Sequence, residues 1–311
     1  MAGFPFAEYF GEINTLADLQ FMPGERQFID RPSATPEPKD LLLYLGCNVL
    51  RTAHLAKTVI DVLKAMGFDF NAAGGPAHCC GIVHFQNDER ETARSFAANS
   101  MRHFARYGAK KVLMWCPSCN EHYDEVVRKE QDVAFPYEHV TAFIARHLDR
   151  IRFTRRVEKR VAVHFHGGFP QSDLDWQNAR TILSAIPGLD LVDIENPAAL
   201  GRHCAPKWIN RIGRPQWQKE ITGILDAAKE AGADILATLY HSCHREICEA
   251  ESKYPFAIVN YMSLLGEAMG IEYPDVYKRF KLEADPSAIY GEVEAYVRAN
   301  GLDPNRVKEL L

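Results

Sequence analysis

The stretch Lys111-Val-Leu-Met-Trp115-Cys116-Pro-Ser-Cys119 decides the fold. A short apolar run beginning just after Gly108 and ending on a cysteine reads as a buried strand. It delivers Cys116 at its C-terminal end, and a helix is expected over 120–130, with Cys119 at its start. First-turn amides and the positive end of that helix would favour an anionic thiolate. The same pattern lies upstream. Leu41-Leu-Leu-Tyr-Leu45 reads as a strand and ends at Gly46-Cys47. Helical periodicity follows from about Arg51 to Met66, with Ala53, Ala56, Val59, Ile60 and Leu63 on one face and Gly67 as the stop. A short strand over 68–76 runs into the Gly74-Gly75-Pro76 turn, and Asn87 or Asp88 caps a helix reaching about Tyr107. Strands alternating with helices imply an α/β fold with a parallel sheet. Ligands in such sheets bind beyond the C-terminal strand ends, which is where Cys47, Cys116 and Cys119 fall.

Between these strands stands Ala77-His78-Cys79-Cys80-Gly81. Neighbouring side chains on an extended backbone point to opposite sides. Both thiols face one object only if the backbone wraps round it, and Gly81 permits that bend. With Cys47 and the Cys116/Cys119 pair, five thiols on three loops form the pattern C…CCG…CxxC. Thiolates suit zinc and iron–sulfur clusters. Structural zinc takes four ligands, and an ordinary cubane cluster also uses four cysteines. A fifth thiolate argues for a non-standard cluster with a bridging thiolate. Zinc bound by four of the five, or five plain buried cysteines, are the competing readings. His78, His84 and His122 flank the motif; His84 and His122 are candidate proton donors or acceptors, with ordinary loop or capping roles as the alternative.

The chain then repeats itself. Arg160-Val-Ala-Val-His164 resembles the first strand, and a helix (about 175–186), a strand (189–194), a loop (195–206), a helix (216–231) and the strand Asp234-Ile-Leu-Ala-Thr238 follow. Gly108-Ala matches Gly232-Ala, Cys80 matches Cys204, and Cys119 matches Cys243, all at one offset of 124 residues. A period this long marks an internal duplication, not a solenoid. The expected divisions are an N-terminal arm (1–39), a first domain (40–150), a second domain (151–271) and a helical C-terminal tail (272–311). The arm, rich in aromatics and proline without a clear period, reads as extended.

Composition narrows the functional classes. In 311 residues, 47% are hydrophobic and 25% charged, as in ordinary globular proteins. A net charge of −5 argues against a general nucleic-acid binder. No apolar run approaches the roughly 18 residues of a membrane helix, and the first residues lack a secretory pattern. Eight cysteines in such a chain point to metal or redox chemistry in the cytoplasm more than to disulfides.

The five-cysteine pattern resembles the CCG-domain family, whose namesake is the B-type subunit of heterodisulfide reductase. The resemblance spans both repeats, roughly 40–270, strongly in the first and in degraded form in the second. It implies two pseudo-symmetric CCG domains, each a small parallel sheet flanked by helices. It also implies a noncubane four-iron cluster held by Cys47, Cys79, Cys80, Cys116 and Cys119. The implied activity is electron transfer to or from a disulfide, thiol or sulfane-sulfur substrate, small or carrier-bound. The implied partners are the family's ferredoxin-like C-type subunit together with its flavoprotein A-type subunit, since the chain has no ferredoxin-type cysteine run and no G-x-G-x-x-G after a strand. One intact and one degraded motif fit the second B-type subunit of a bacterial sulfur-oxidising heterodisulfide-reductase-like complex. The alternatives are the iron–sulfur subunit of a hydroxy-acid oxidase and a non-enzymatic, zinc-stabilised assembly module.

The second repeat departs from the family pattern. His203 stands at the position of Cys79, Cys204 at Cys80, Ala205 at Gly81, Tyr240 at Cys116 and Cys243 at Cys119. The loop matching Cys47 is His164-Phe-His166-Gly167-Gly168, without a cysteine. His164 or His166, His203, Cys204, His241, Cys243 and His244 are therefore the candidate ligands, with Cys204, Cys243, His203 and His166 the favoured set. Mixed imidazole and thiolate suits zinc or a histidine-ligated iron–sulfur centre; a vestige without metal is the third reading. Cys248 reads as structural.

Overall fold

A computed structural model describes residues 4–29 and 36–310. It contains eight strands in two four-stranded sheets of identical topology. β1 (Leu41–Gly46), β2 (Phe70–Gly74), β3 (Lys111–Met114) and β4 (Tyr137–His139) stand in the order β2-β1-β3-β4. β5 (Arg160–His164), β6 (Asp190–Val192), β7 (Ile235–Thr238) and β8 (Ala257–Asn260) stand in the order β6-β5-β7-β8. β1 runs parallel to β2 and β3, β5 to β6 and β7, and β7 to β8. The apolar runs that mark β1, β3 and β7 are buried almost throughout, because helices cover both faces of a parallel sheet. The expected duplicated α/β architecture is present. Two strands that periodicity does not reveal, β4 and β8, complete each edge; they are only three and four residues long.

The chain forms two compact units. One comprises Met1–Ala56, Asp69–Glu138 and Asp275–Leu311; the other comprises Lys57–Phe68 and His139–Pro274. The helix Ala53–Ala65 passes from the first set of residues to the second. Leu55 and Val62 are as fully buried as Val59 and Leu63 on the expected face, while Ile60 is only half-buried. One-sided periodicity understates how completely this helix is enclosed.

Where the sequence suggests an extended arm, Phe6–Asp18 is an α-helix. Residues 1–3 and 30–35 of that arm lie outside the described residues. Ile13 and Ala17, four apart and so on one face, are fully buried. Tyr9 receives a hydrogen bond from Asn48 Nδ2 at 2.6 Å, and Glu12 pairs with Arg51. This helix therefore packs on the turn Asn48–Thr52 that follows Cys47. The tail is helical over Val276–Leu282, Pro286–Ala299 and Pro304–Leu310. Asp275 and Asp285 cap the first two of these helices, each accepting from a backbone N–H. Val293, Val297 and Val307 pack with Leu19, so the tail docks on its own chain.

Candidate metal centres

In the first unit three loops leave the C-terminal ends of β1, β2 and β3. Cys47 stands at the start of the turn Asn48–Thr52, directly beyond β1. Cys79 and Cys80 follow the turn Pro76–His78 beyond β2. Gly81 is left-handed, with φ +89°, and a β-carbon there would lie 2.3 Å from the carbonyl oxygen of Ala93. Only glycine tolerates both conditions, so the double-cysteine bend is built on it. Cys116 caps the helix Pro117–His122 beyond β3, and Cys119 lies in its third position, earlier than the helix start expected near 120.

The five sulfurs form one continuous chain of contacts. Cys47 meets Cys79, Cys79 meets Cys80, Cys80 meets Cys119, and Cys119 meets Cys116. None of the five residues is more than 6% exposed. Hydrogen bonds from the Cys119 and Cys79 thiols bring the Cys80 thiol down to about 6. Cys119 is pushed well up by its bonds to Cys116 and Cys80 and by burial, and Cys47 by its bond to Cys79 and burial. A cation at this place would favour ionisation of all of them.

The backbone of β1's end passes close against the sulfurs. A β-carbon on Gly46 would lie 2.7 Å from Cβ of Cys116 and 3.2 Å from Sγ of Cys119. The Tyr44 hydroxyl donates to the carbonyl of His78 at 2.6 Å and lies 3.6 Å from the Cys119 sulfur. Ser100 Oγ donates to the carbonyl of Cys79 at 2.8 Å. Of the flanking histidines, His78 bonds through Nδ1 to the carbonyl of Gly74 at 3.0 Å. His122 packs its ring against Phe85. His84 holds Glu89 through Nδ1 at 2.8 Å and stacks between Phe6 and Phe96, at 4.1 and 4.6 Å. Its Nε2 is buried without a hydrogen-bond partner among the described residues.

The second unit gathers a different set. The ligand atoms of His164, His166, Cys204 and Cys243 all lie within 4.8 Å of one another, and all four residues are fully buried. Cys204 Sγ is 3.6 Å from His164 Nε2 and 3.4 Å from His166 Nε2, and Cys243 Sγ is 3.3 Å from His166 Nε2. His166 Nδ1 bonds to the carbonyl of Gly201 at 2.8 Å. Burial alone would raise the Cys243 thiol, but the hydrogen bond from Cys204 and the imidazoles of His166 and His164 outweigh it and hold that thiol well below its usual range. Cys204 is raised by burial and by Cys243.

His203, one of the favoured candidates, is buried but does not belong to this group; His164 takes that place. The reason is register. Tyr44 pairs with Met114 in the first sheet and His164 with Thr238 in the second. Met114 and Thr238 each stand two residues before Cys116 and Tyr240, where the helices start. His164 therefore corresponds to Tyr44 and His166 to Gly46. Two residues apart on extended backbone they share a face, a signal that strand alternation would have supplied. Tyr240, at the place of Cys116, turns its hydroxyl to Asp175 Oδ2 at 2.8 Å. His241, His244 and Cys248 are buried outside the group of four.

Residues 41–123, the segment holding all five cysteines of the first unit, match the CCG cysteine-rich domain. The chain is similar to the D subunit of dihydromethanophenazine:CoB–CoM heterodisulfide reductase from Methanosarcina barkeri, with 24% identity over 75% of this chain and 59% of the relative. An uncharacterised iron–sulfur protein of Methanocaldococcus jannaschii is 20% identical over 80% of this chain and 50% of its own length. The B subunit of the CoM/CoB fumarate reductase of Methanothermobacter marburgensis is 22% identical over 75% of this chain and 46% of its own length. The chain thus spans about half to three-fifths of the curated relatives it matches. No described helix is long and apolar enough to cross a membrane.

Proposed function

We propose that this chain is an iron–sulfur subunit of a heterodisulfide-reductase-like complex, moving electrons to or from a disulfide, thiol or sulfane-sulfur substrate. The observation that carries the reading is the buried chain of five thiols, with the backbone of Gly46 packed directly against Cys116 and Cys119. Five thiolates exceed the four of a closed zinc site and suit a noncubane four-iron cluster held by Cys47, Cys79, Cys80, Cys116 and Cys119. Such a cluster would supply one-electron steps and an iron able to hold a substrate sulfur.

The protein's own residues prepare that place. The three strand ends converge five ligands, and burial excludes water. Tyr44 fixes the loop of His78 through its carbonyl. His84, hydrogen-bonded to Glu89, and His122 remain the flanking candidates for a proton-handling role. Opening a disulfide to two thiols consumes two electrons and two protons; oxidation of two thiols to a disulfide releases them. Thiol couples, at about −120 to −270 mV, lie inside the range of protein iron–sulfur centres, about −700 to +450 mV. The electrons come from or go to partner subunits, ferredoxin-like and flavoprotein in kind, in a cytoplasmic assembly. At the second unit this function requires only that the histidine–cysteine group hold zinc or an altered cluster.

The test is purification without oxygen, followed by iron analysis and EPR after oxidation. About four irons per chain, lost in Cys80→Ala, support the proposal. Zinc without iron at these cysteines overturns it.

A further inference from the structure

We infer that the second unit is a closed, mononuclear zinc site, with Nε2 of His164 and His166 and Sγ of Cys204 and Cys243 at the four corners of one tetrahedron. The inference is independent of what the first unit binds.

The first argument is metric. With Zn–S of about 2.3 Å and Zn–N of about 2.0–2.1 Å, a tetrahedron has S···N edges of about 3.6 Å. The three observed sulfur–nitrogen separations are 3.6, 3.4 and 3.3 Å. Three of the four sulfur–nitrogen edges therefore already stand at the spacing of a single ion, and all four donor atoms lie within 4.8 Å of one another. A cluster of several irons with a protein ligand on each would need them spread wider.

The second argument is the tautomer. An N–H at Nδ1 of His166 donates to the carbonyl of Gly201, which leaves the lone pair on Nε2, the nitrogen facing both sulfurs. A metal-binding histidine is held by a partner of this kind. The third is charge. A dication with two thiolates and two neutral imidazoles is neutral, so it sits in a fully buried pocket without an uncompensated ion. S2N2 tetrahedral donors suit zinc.

The fourth argument is residue identity, and it separates the two units. Gly46 packs without a side chain against Cys116 and Cys119. At the corresponding place the second unit carries the His166 imidazole, 3.3 Å from Cys243. At the place of Cys116 it carries Tyr240, whose hydroxyl is engaged by Asp175. Where the first unit has a glycine and a thiol, the second has an imidazole and a phenol, so it lacks two of the groups that a five-thiolate cluster uses. Four protein ligands also leave no open coordination position, so this metal would hold the second unit together and neither bind substrate nor change oxidation state.

The experiment uses the full chain, expressed with zinc and purified without oxygen. Zinc-edge X-ray absorption should give two sulfurs at about 2.3 Å and two nitrogens at about 2.0–2.1 Å. Cys204→Ser and His166→Gln should each lose about one zinc per chain while the iron content and visible absorbance of the first unit stay unchanged. If either variant fails to fold, the wild-type absorption spectrum decides. A shell of four sulfurs, zinc retained in both variants, iron lost in place of zinc, or no zinc in the wild-type chain overturns the inference.

Discussion

A β-carbon on Gly46 would lie 2.7 Å from Cβ of Cys116, closer than real side chains approach. Gly46 also has φ +74°. The position is doubly reserved for glycine, by backbone and by its close packing against Cys116. Gly46→Ala should cost about 1–2 kcal/mol through its left-handed backbone. It should also cut bound iron to less than half, with far-ultraviolet circular dichroism little changed. Full iron loading in this variant would show that this packing is not needed.

Tyr44 supports the same loops from beneath. Its hydroxyl is the donor to the buried carbonyl of His78. Tyr44→Phe leaves that carbonyl unpaired, which should cost about 1–3 kcal/mol. Denaturant unfolding of wild type and variant, both metal-free, measures the difference. A change below about 0.5 kcal/mol would mean that water or a rearranged loop replaces the bond.

In the second unit Asp175 is fully buried. It accepts from Tyr240 and from Gln171, each at 2.8 Å, and lies 3.4 Å from His139. Removing the acceptor leaves buried donors unpaired, which costs about 1–3 kcal/mol. Asp175→Ala should approach that figure and Asp175→Asn should cost less, because the amide oxygen still accepts from Tyr240. Chemical denaturation followed through the second unit's tryptophans, Trp176, Trp208 and Trp217, ranks them. Equal stability of the two variants would refute the role of the carboxylate.

Leu19 joins the N-terminal helix to the C-terminal one. It is fully buried with Val293, Val297 and Val307. Leu19→Ala should cost about 2–5 kcal/mol. Faster hydrogen exchange across Pro286–Ala299, with β1 and β3 still protected, is the expected signature. Unchanged exchange in that helix would place the tail's anchor elsewhere.

Much of this architecture is legible in the sequence because its signals are local. Apolar runs such as Leu41–Leu45 and Lys111–Trp115 are short enough to be strands. Glycines at 67 and 108 stop helices, and Asp285 starts one. The five cysteines of the first unit and the shared offset linking Cys80 with Cys204 and Cys119 with Cys243 need no coordinates. The N-terminal helix is not legible in this way because its aromatic residues follow no clean period; Ile13 and Ala17 are its only fully buried positions. β4 and β8 are not legible because runs of three or four residues carry too little pattern.

By itself, then, the sequence determined the duplicated α/β plan and the place where five thiols meet, since strand ends and cysteine spacing are properties of short segments. The tertiary structure decided which of the candidate histidines join the second group. His203 and His164 are both close in sequence to plausible ligands, and only the folded chain shows that His164 Nε2 lies 3.6 Å from Cys204 Sγ. It also decided that His166 stands where Gly46 does. That correspondence depends on strand register, which is set by contacts between segments far apart in the chain.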